Sequence, residues 1–213
     1  MTTATEPTTS PLSRRTRWVR RFIVVVTTLA IVTAVCVGYW WAELETYHYS
    51  LVVPGVLYRC GNRGIREFDH AVQQSGARTV VSFVSDQELN DPAKPQFKAE
   101  ADYCQAHGIH QIRLPVPLGG WPTSDQVLKF LNIVAEPANR PVLMHCAQGV
   151  RRTGIFMAAY QLSVLDRTPA LAKERIMAFG HKPRDTDDIR TFIDRYDPIY
   201  ATVPTTLPTV SGE

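Results

Sequence analysis

Hydrophobic and polar positions along the chain fall into two regimes. Residues 22–41, FIVVVTTLAIVTAVCVGYWW, are twenty consecutive positions without a charge. As a helix, such a run is about 30 Å long, the thickness of a bilayer's hydrocarbon core. Tyr39, Trp40 and Trp41 close its far end, and their rings favour the headgroup interface. The run is longer than the apolar stretch of a signal peptide, and no small-x-small cleavage site follows it. Three threonines are too few for the polar face of a core helix. The pattern predicts one uncleaved transmembrane helix.

From about residue 50 short β-rich runs alternate with longer amphipathic ones. GVLYR (55–59), RTVVSFV (78–84), IHQIRLPV (109–116) and RPVLMHC (140–146) read as strands. IREFDHAVQQSG places Ile65, Phe68, Ala71 and Val72 on one face and ends at Gly76, a helix signature. QFKAEADYCQAHG (96–108) reads as a helix closed by Gly108, and TSDQVLKFLNIV (123–134) as one opened by a Thr123–Gln126 capping box. Helices follow in TGIFMAAYQLSVL (153–165), PALAKERIMAFG (169–180) and DDIRTFIDRY (187–196), whereas DQELNDPAKP (86–95) reads as a polar, Pro-punctuated loop. This order predicts an α/β fold, a mostly parallel central sheet flanked by helices on both faces, behind one N-terminal transmembrane helix. The expected organisation is a disordered basic arm (1–21), the anchor (22–41), one globular domain (42–200) and a flexible tail (201–213).

Composition changes this picture little. Of 213 residues 45% are hydrophobic and 20% charged, which is ordinary for a globular protein. The net charge of +3 does not point to nucleic acid, since Arg14, Arg15, Arg17, Arg20 and Arg21 crowd into the arm. Glu43 and Glu45 follow the span, and no Lys or Arg appears until Arg59. The positive-inside rule therefore keeps the N-terminus cytoplasmic and sends the large domain to the other side. The four cysteines, Cys36, Cys60, Cys104 and Cys146, contain no CxxC pair, so zinc-ribbon and thioredoxin-type readings lack support; no metal or cofactor is expected.

The chemistry concentrates in HCAQGVRRTG, residues 145–154, where an apolar strand turns into a helix. In α/β sheets ligands sit beyond the carboxyl ends of the strands. A loop entering a helix N-terminus offers unpaired N–H groups and the positive end of the helix dipole. Gly149 allows backbone angles that let successive N–H groups form a nest for an oxyanion. Arg152 can grip two phosphate oxygens. The same positive surroundings favour the Cys146 thiolate, which is poised for in-line attack on phosphorus and a covalent phosphocysteine.

HCAQGVRRT fits H-C-x5-R-[ST] and resembles the signature of cysteine-dependent protein tyrosine and dual-specificity phosphatases. VPGVLYRCGNRG (53–64), with Cys60 where a serine is usual, and GWPTSDQVLKFLNIV before RPVLMHC resemble the compact atypical dual-specificity group of plants and fungi. The resemblance covers residues 50–200 and implies that Cys146 is the nucleophile and Arg152 the phosphate clamp. It further implies that the N–H groups of Ala147, Gln148, Gly149, Val150, Arg151 and Arg152 form the cradle. His145 would support the loop, and the Thr153 hydroxyl would ease departure of the thiolate.

The general acid is less visible. After Trp121-Pro122 a threonine, Thr123, stands where tyrosine phosphatases carry an aspartate. Asp125 is the nearest carboxylate and the first candidate; Asp86, Glu88 and Asp91 are the others. A weak acid favours aryl phosphates, hence phosphotyrosine proteins, with small phosphomonoesters as further substrates and the bilayer as partner of residues 22–41. The alternatives are a catalytically weak pseudophosphatase that binds phosphorylated partners and an inositol phosphate or phosphoinositide phosphatase. Cys60 is a candidate for reversible pairing with Cys146. HKPRD (181–185) and DTDD (185–188) read as solvated charges.

Overall fold

The computed structural model describes residues 14–45 and 47–199. The expected flexible tail, 201–213, and the first thirteen residues of the arm lie outside them. The chain divides into two units, Met1–Glu43 and Leu44–Glu213. Helix α1, Arg14–Glu45, holds the apolar run, and its Trp18–Trp40 stretch is long and apolar enough to cross a membrane. α1 begins at Arg14, within the stretch expected as the basic arm. A helix already nucleated by an apolar segment extends at little further cost. Thr27, Thr28 and Thr33 donate their hydroxyls to the carbonyls of Ile23, Val24 and Leu29, which removes the run's few polar donors from its surface.

The second unit is built on a five-stranded sheet of order β1-β2-β5-β3-β4, from β1 (Ser50–Val53), β2 (Leu57–Gly61), β3 (Thr79–Ser82), β4 (His110–Arg113) and β5 (Val142–Cys146). β2–β5, β5–β3 and β3–β4 are parallel, and only the edge strand β1 runs antiparallel to β2. The expected α/β sheet is thus present with one antiparallel edge. β1 escapes a periodicity reading because it is four residues long and half-buried. Pro54-Gly55, with Gly55 at φ 69°, was the available turn signal. β3 and β5 are buried at every position, as central strands covered on both faces must be.

On one face α2 (Ile65–Ser75) and α4 (Gln96–Ala106) cover the sheet through Phe68, Ala71, Val72 and Cys104. On the other lie α5 (Ser124–Ala135) and α6 (Arg151–Ser163), whose Phe130 and Phe156 meet Phe83 of the sheet layer. The rings of Phe83 and Phe156 stack with centroids 3.9 Å apart, and Phe130 meets both edge-on. α5 has the expected capping box, Gln126 N–H to Thr123 Oγ1 at 3.2 Å and Thr123 N–H to Gln126 Oε1 at 3.0 Å. α7 (Pro169–Glu174) and α8 (Pro183–Arg195) pack outside α6, which is therefore buried all round.

Two expectations are corrected. The polar loop after β3 contains a short helix, α3 (Asp86–Leu89), opened by a Ser85–Glu88 capping box that the sequence S-D-Q-E spells out. The helix expected over 169–180 ends at Glu174, because Phe179 is drawn at φ 47° into stacking on His48 and tertiary packing overrides helical periodicity there. Removing the central ring tests the core: Phe156→Ala should cost about 3–5 kcal/mol. Urea unfolding should show that loss as a lower midpoint at unchanged slope, and a midpoint within error of the parent would contradict the packing described.

Candidate active site

β5 is the middle strand of the sheet, and Cys146 ends it. Five residues later the chain enters α6 at Arg151. The Cys146 side chain is 3% exposed, and its sulfur accepts the Gly149 N–H at 3.2 Å. Burial alone would raise its pKa. The Arg152 charge, the Thr153 hydroxyl and N–H, and the Gly149 N–H outweigh that and hold it below the ordinary thiol value. The Thr153 hydroxyl is fully buried and has no nitrogen or oxygen partner, which leaves it to the sulfur.

Arg152 is buried, and its guanidinium is fixed by a fork. Nη1 and Nη2 donate to Glu88 Oε2 at 2.5 Å and Oε1 at 2.8 Å, while Nη1 also donates to the Phe83 and Val116 carbonyls at 3.1 and 3.2 Å. Glu88 comes from α3, so the capping box that shapes this short helix also aims the carboxylate. Burial pushes the Glu88 pKa up, but the Arg152 hydrogen bonds and charge, followed by Ser85, bring it below the ordinary value. Glu88 is therefore a carboxylate committed to Arg152 rather than a proton donor.

The start of the loop is held by a second network. His145 Nε2 meets Glu100 Oε1 at 3.0 Å, both side chains being buried. Glu100 also accepts from Asn62 Nδ2 at 2.6 Å and Gln111 Nε2 at 2.7 Å. The Asn62 N–H in turn reaches the Cys146 and Ala147 carbonyls at 3.2 and 3.0 Å. Burial would lower the His145 pKa, but the Glu100 charge and hydrogen bond, then Cys146, raise it. Glu100 moves down for the complementary reason, against a burial penalty. Sequence reasoning passed over Glu100, although it lies on the buried stripe of α4 between Phe97 and Cys104, where an acid needs a partner. Gly149 sits at φ 70°, and a Cβ there would lie 2.3 Å from the Cys60 carbonyl oxygen, so the loop lies directly on β2.

Cys146, Ala147, Gln148, Arg151 and Arg152 line one hollow of about 320 Å³, together with Glu88, Lys94, Leu118, Gly119, Arg184 and Asp185. Asp125 is not among them. It is exposed on the first turn of α5 and lines a separate hollow with Leu128 and Lys129. Asp86 pairs with Arg113 at 2.7 Å, and Asp91 accepts the Ala93 N–H and meets Lys94. Arg151 turns its side chain to Asp188 and the Gly119 and Gly120 carbonyls, with Trp121 5.1 Å from its guanidinium. Within 181–188, Asp188 holds Arg151 and Arg184 and Asp185 line the hollow, while Lys182, Arg184 and Asp187 are exposed as solvated charges are. Cys60 faces the α2–α4 side while Cys146 packs on the α5–α6 side, so β2–β5 register separates the two thiols across the sheet. A larger hollow of about 550 Å³ between Trp121 and α8 has no cysteine on its lining.

A buried thiol whose ionisation its neighbours favour, a helix N-terminus and a fixed guanidinium around one hollow make a cysteine-based phosphatase site. Residues 66–191 match the family model described as "DSP-PTPase phosphatase fused to NAD+ Kinase". The chain belongs to this family, within the atypical dual-specificity phosphatase superfamily. It is 30% identical over 96 residues to an inositol diphosphatase, DSP1, of Oryza sativa subsp. japonica, across 40% of this chain and 43% of the relative. It is 30% identical over 121 residues to the dual specificity protein phosphatase TpbA of Pseudomonas aeruginosa, across 56% of this chain and 48% of the relative. The chain thus spans less than half the length of these curated relatives. The core catalytic domain of the PP-IP phosphatase SIW14 from S. cerevisiae superposes with TM-score 0.56 at 21% identity, covering 70% of this chain and 85% of that one. The P. aeruginosa TpbA crystal structure gives 0.54 at 24%, covering 70% and 84%.

Two outcomes follow from these networks. Glu88→Ala leaves the Arg152 charge buried without its partner and should cost about 3–5 kcal/mol in chemical denaturation. An unchanged midpoint would show that the fork contributes nothing to the fold. For the His145–Glu100 pair, the raised histidine stabilises fully below its unfolded value of 6.5 and fades as pH rises through the folded value. The depressed carboxylate stabilises above 4.5 and fades as pH falls through its folded value. The Tm difference between the parent and Glu100→Gln should therefore be widest between pH 4.5 and 6.5. A difference independent of pH would contradict an ion pair.

Proposed function

We propose that the protein is a membrane-anchored phosphomonoester hydrolase that works through a phosphocysteine. The observation that carries this reading is the Cys146 sulfur, buried yet with its pKa held below the ordinary thiol value, in the same hollow as the Arg152 fork. A phosphate dianion in the hollow presents phosphorus to the thiolate. Arg152 and the N–H groups of 147–152 stabilise the three equatorial oxygens as charge spreads onto them. The S–P bond forms as the P–O bond to the leaving oxygen breaks. Of the two carboxylates lining the hollow, Glu88 is forked to Arg152, whereas the Asp185 side chain, among the described residues, meets only His181, at 3.6 Å, and takes the place of Asp125 as the group that passes a proton to the leaving oxygen. Water then attacks the phosphocysteine and gives up a proton to the same carboxylate. Inorganic phosphate is released, and the Thr153 hydroxyl stabilises the departing thiolate.

Phosphotyrosine proteins are the favoured substrates, because an aryl oxygen needs the least protonation. A second reading, an inositol polyphosphate substrate, is favoured by Lys94 and Arg184 on the hollow's lining beside Arg152 and by the relative named an inositol diphosphatase. Residues 22–41 serve as the anchor, with the basic arm cytoplasmic and the catalytic unit on the other side. The test is hydrolysis of 4-nitrophenyl phosphate by the purified full chain, followed by phosphotyrosine peptides and inositol polyphosphates at equal concentration. Cys146→Ser should lower kcat by roughly 10⁴-fold or more, and Arg152→Met by roughly 10²–10³-fold. Phosphate binding without turnover would identify a pseudophosphatase instead.

A further inference from the structure

Arg59 is among the largest fully buried side chains of the molecule, at 0% exposure on β2. Its Nη1 donates to the Met157 sulfur at 3.0 Å, and its Nη2 donates to the Gly149 carbonyl of the catalytic loop. Its Nε has no hydrogen-bond partner. The Phe179 ring covers it, 5.3 Å from the guanidinium carbon. Among the described residues no carboxylate pairs with it, and the only acidic groups that act on its charge are Cys146 and, less, Cys60. Burial brings Arg59 down to about 10, which still leaves it a cation near neutral pH. A buried guanidinium without a carboxylate partner is costly and requires a compensating role.

The geometry of the loop supplies that role. In a planar trans peptide the carbonyl and the following N–H point in opposite directions. The Gln148 carbonyl is held by His48 Nδ1, and the N–H of the same peptide, that of Gly149, points to the Cys146 sulfur at 3.2 Å. The next peptide follows the same rule: the Gly149 carbonyl is held by Arg59, which turns the Val150 N–H away from β2. Two side chains outside the loop thus set the orientation of two consecutive peptides. Charge gives the second part. Arg152 is the charge that acts most strongly on the sulfur, but Glu88 shares that charge through the fork. Arg59 has no such offset. Phe179 and His48, which stack on one another at 4.6 Å, close this support from outside.

We propose that Arg59 is a positioning residue for the phosphoryl-transfer site, holding the Gly149–Val150 peptide with its N–H toward the oxyanion and supplying positive charge beneath the loop that no carboxylate cancels. This rests on Cys146 being the nucleophile of the proposed function. It explains why a side chain on a neighbouring strand, with no access to the hollow's lining, bears on the reaction.

The test measures Cys146 alkylation by iodoacetamide against pH, with kcat and KM for 4-nitrophenyl phosphate, in the full chain and in Arg59→Met and Arg59→Lys. Arg59→Met should move the alkylation midpoint up toward the ordinary thiol value of 9.0 and lower kcat roughly 10²-fold, the scale of one lost oxyanion donor. Arg59→Lys keeps the charge but not the fork, so it should restore the midpoint and only part of kcat. Parental midpoint and kcat in both folded variants would overturn the proposal, as would a loss of kcat with the midpoint fixed in both. If Arg59→Met does not fold, the unmutated chain carries the test. The Arg59 guanidinium ¹⁵N resonance should then move with pH at the Cys146 midpoint and stand still in Cys146→Ser. A resonance that never moves overturns the proposal. A parental midpoint at 9.0 or above overturns the reading of Cys146 itself, which separates the two failures.

Discussion

A thiol sealed in the interior among groups that favour its ionisation is the constraint from which the rest of this fold takes its shape. Desolvation opposes ionisation of Cys146, and everything that reverses that preference must arrive from elsewhere in the chain. The parallel sheet brings β5 to its end in the middle of the molecule, between β2 and β3. α6 then starts with its positive dipole end at the sulfur. Glu88 fixes Arg152 from α3, Glu100 fixes His145 from α4, and Asn62 holds the first loop carbonyls just after β2. Each partner lies at least 45 residues from the side chain or carbonyl that it holds, so the site exists only in the completed fold.

The same arrangement divides labour between the two layers. The α5–α6 side supplies the aromatic packing of Phe83, Phe130 and Phe156 behind the Cys146 end of β5. The α2–α4 side holds the buried ionic network that keeps the strand end and the loop in register. Apolar packing alone would position the backbone but would not orient a guanidinium. The buried carboxylates do that, at a desolvation cost that their hydrogen bonds offset.

Much of this was legible in the sequence. The strand-loop-helix at 140–165, the parallel α/β order and the Cys146–Arg152 spacing are local patterns, and the fold reproduces them. What escaped was of two kinds. Glu88 and Glu100 act across 64 and 45 residues, and only a capping-box motif and an acid on an apolar stripe hinted at them. Asp125 is the acid that nearness to Trp121-Pro122 along the chain suggests. In the fold α5 carries it to another hollow, while α8 brings in Asp185 from a stretch read as solvent-facing. Helix 169–180 was overextended because periodicity does not register that Phe179 is wanted beneath the loop.

Rapid quenching of the full chain with an aryl phosphate, followed by peptide mass spectrometry under conditions that preserve thiophosphates, reports on the central claim most directly. The account requires one added phosphoryl group, located on Cys146 and present only during turnover. Turnover with phosphate on another residue, or with no phosphoenzyme on a timescale that captures the first cycle, would contradict it.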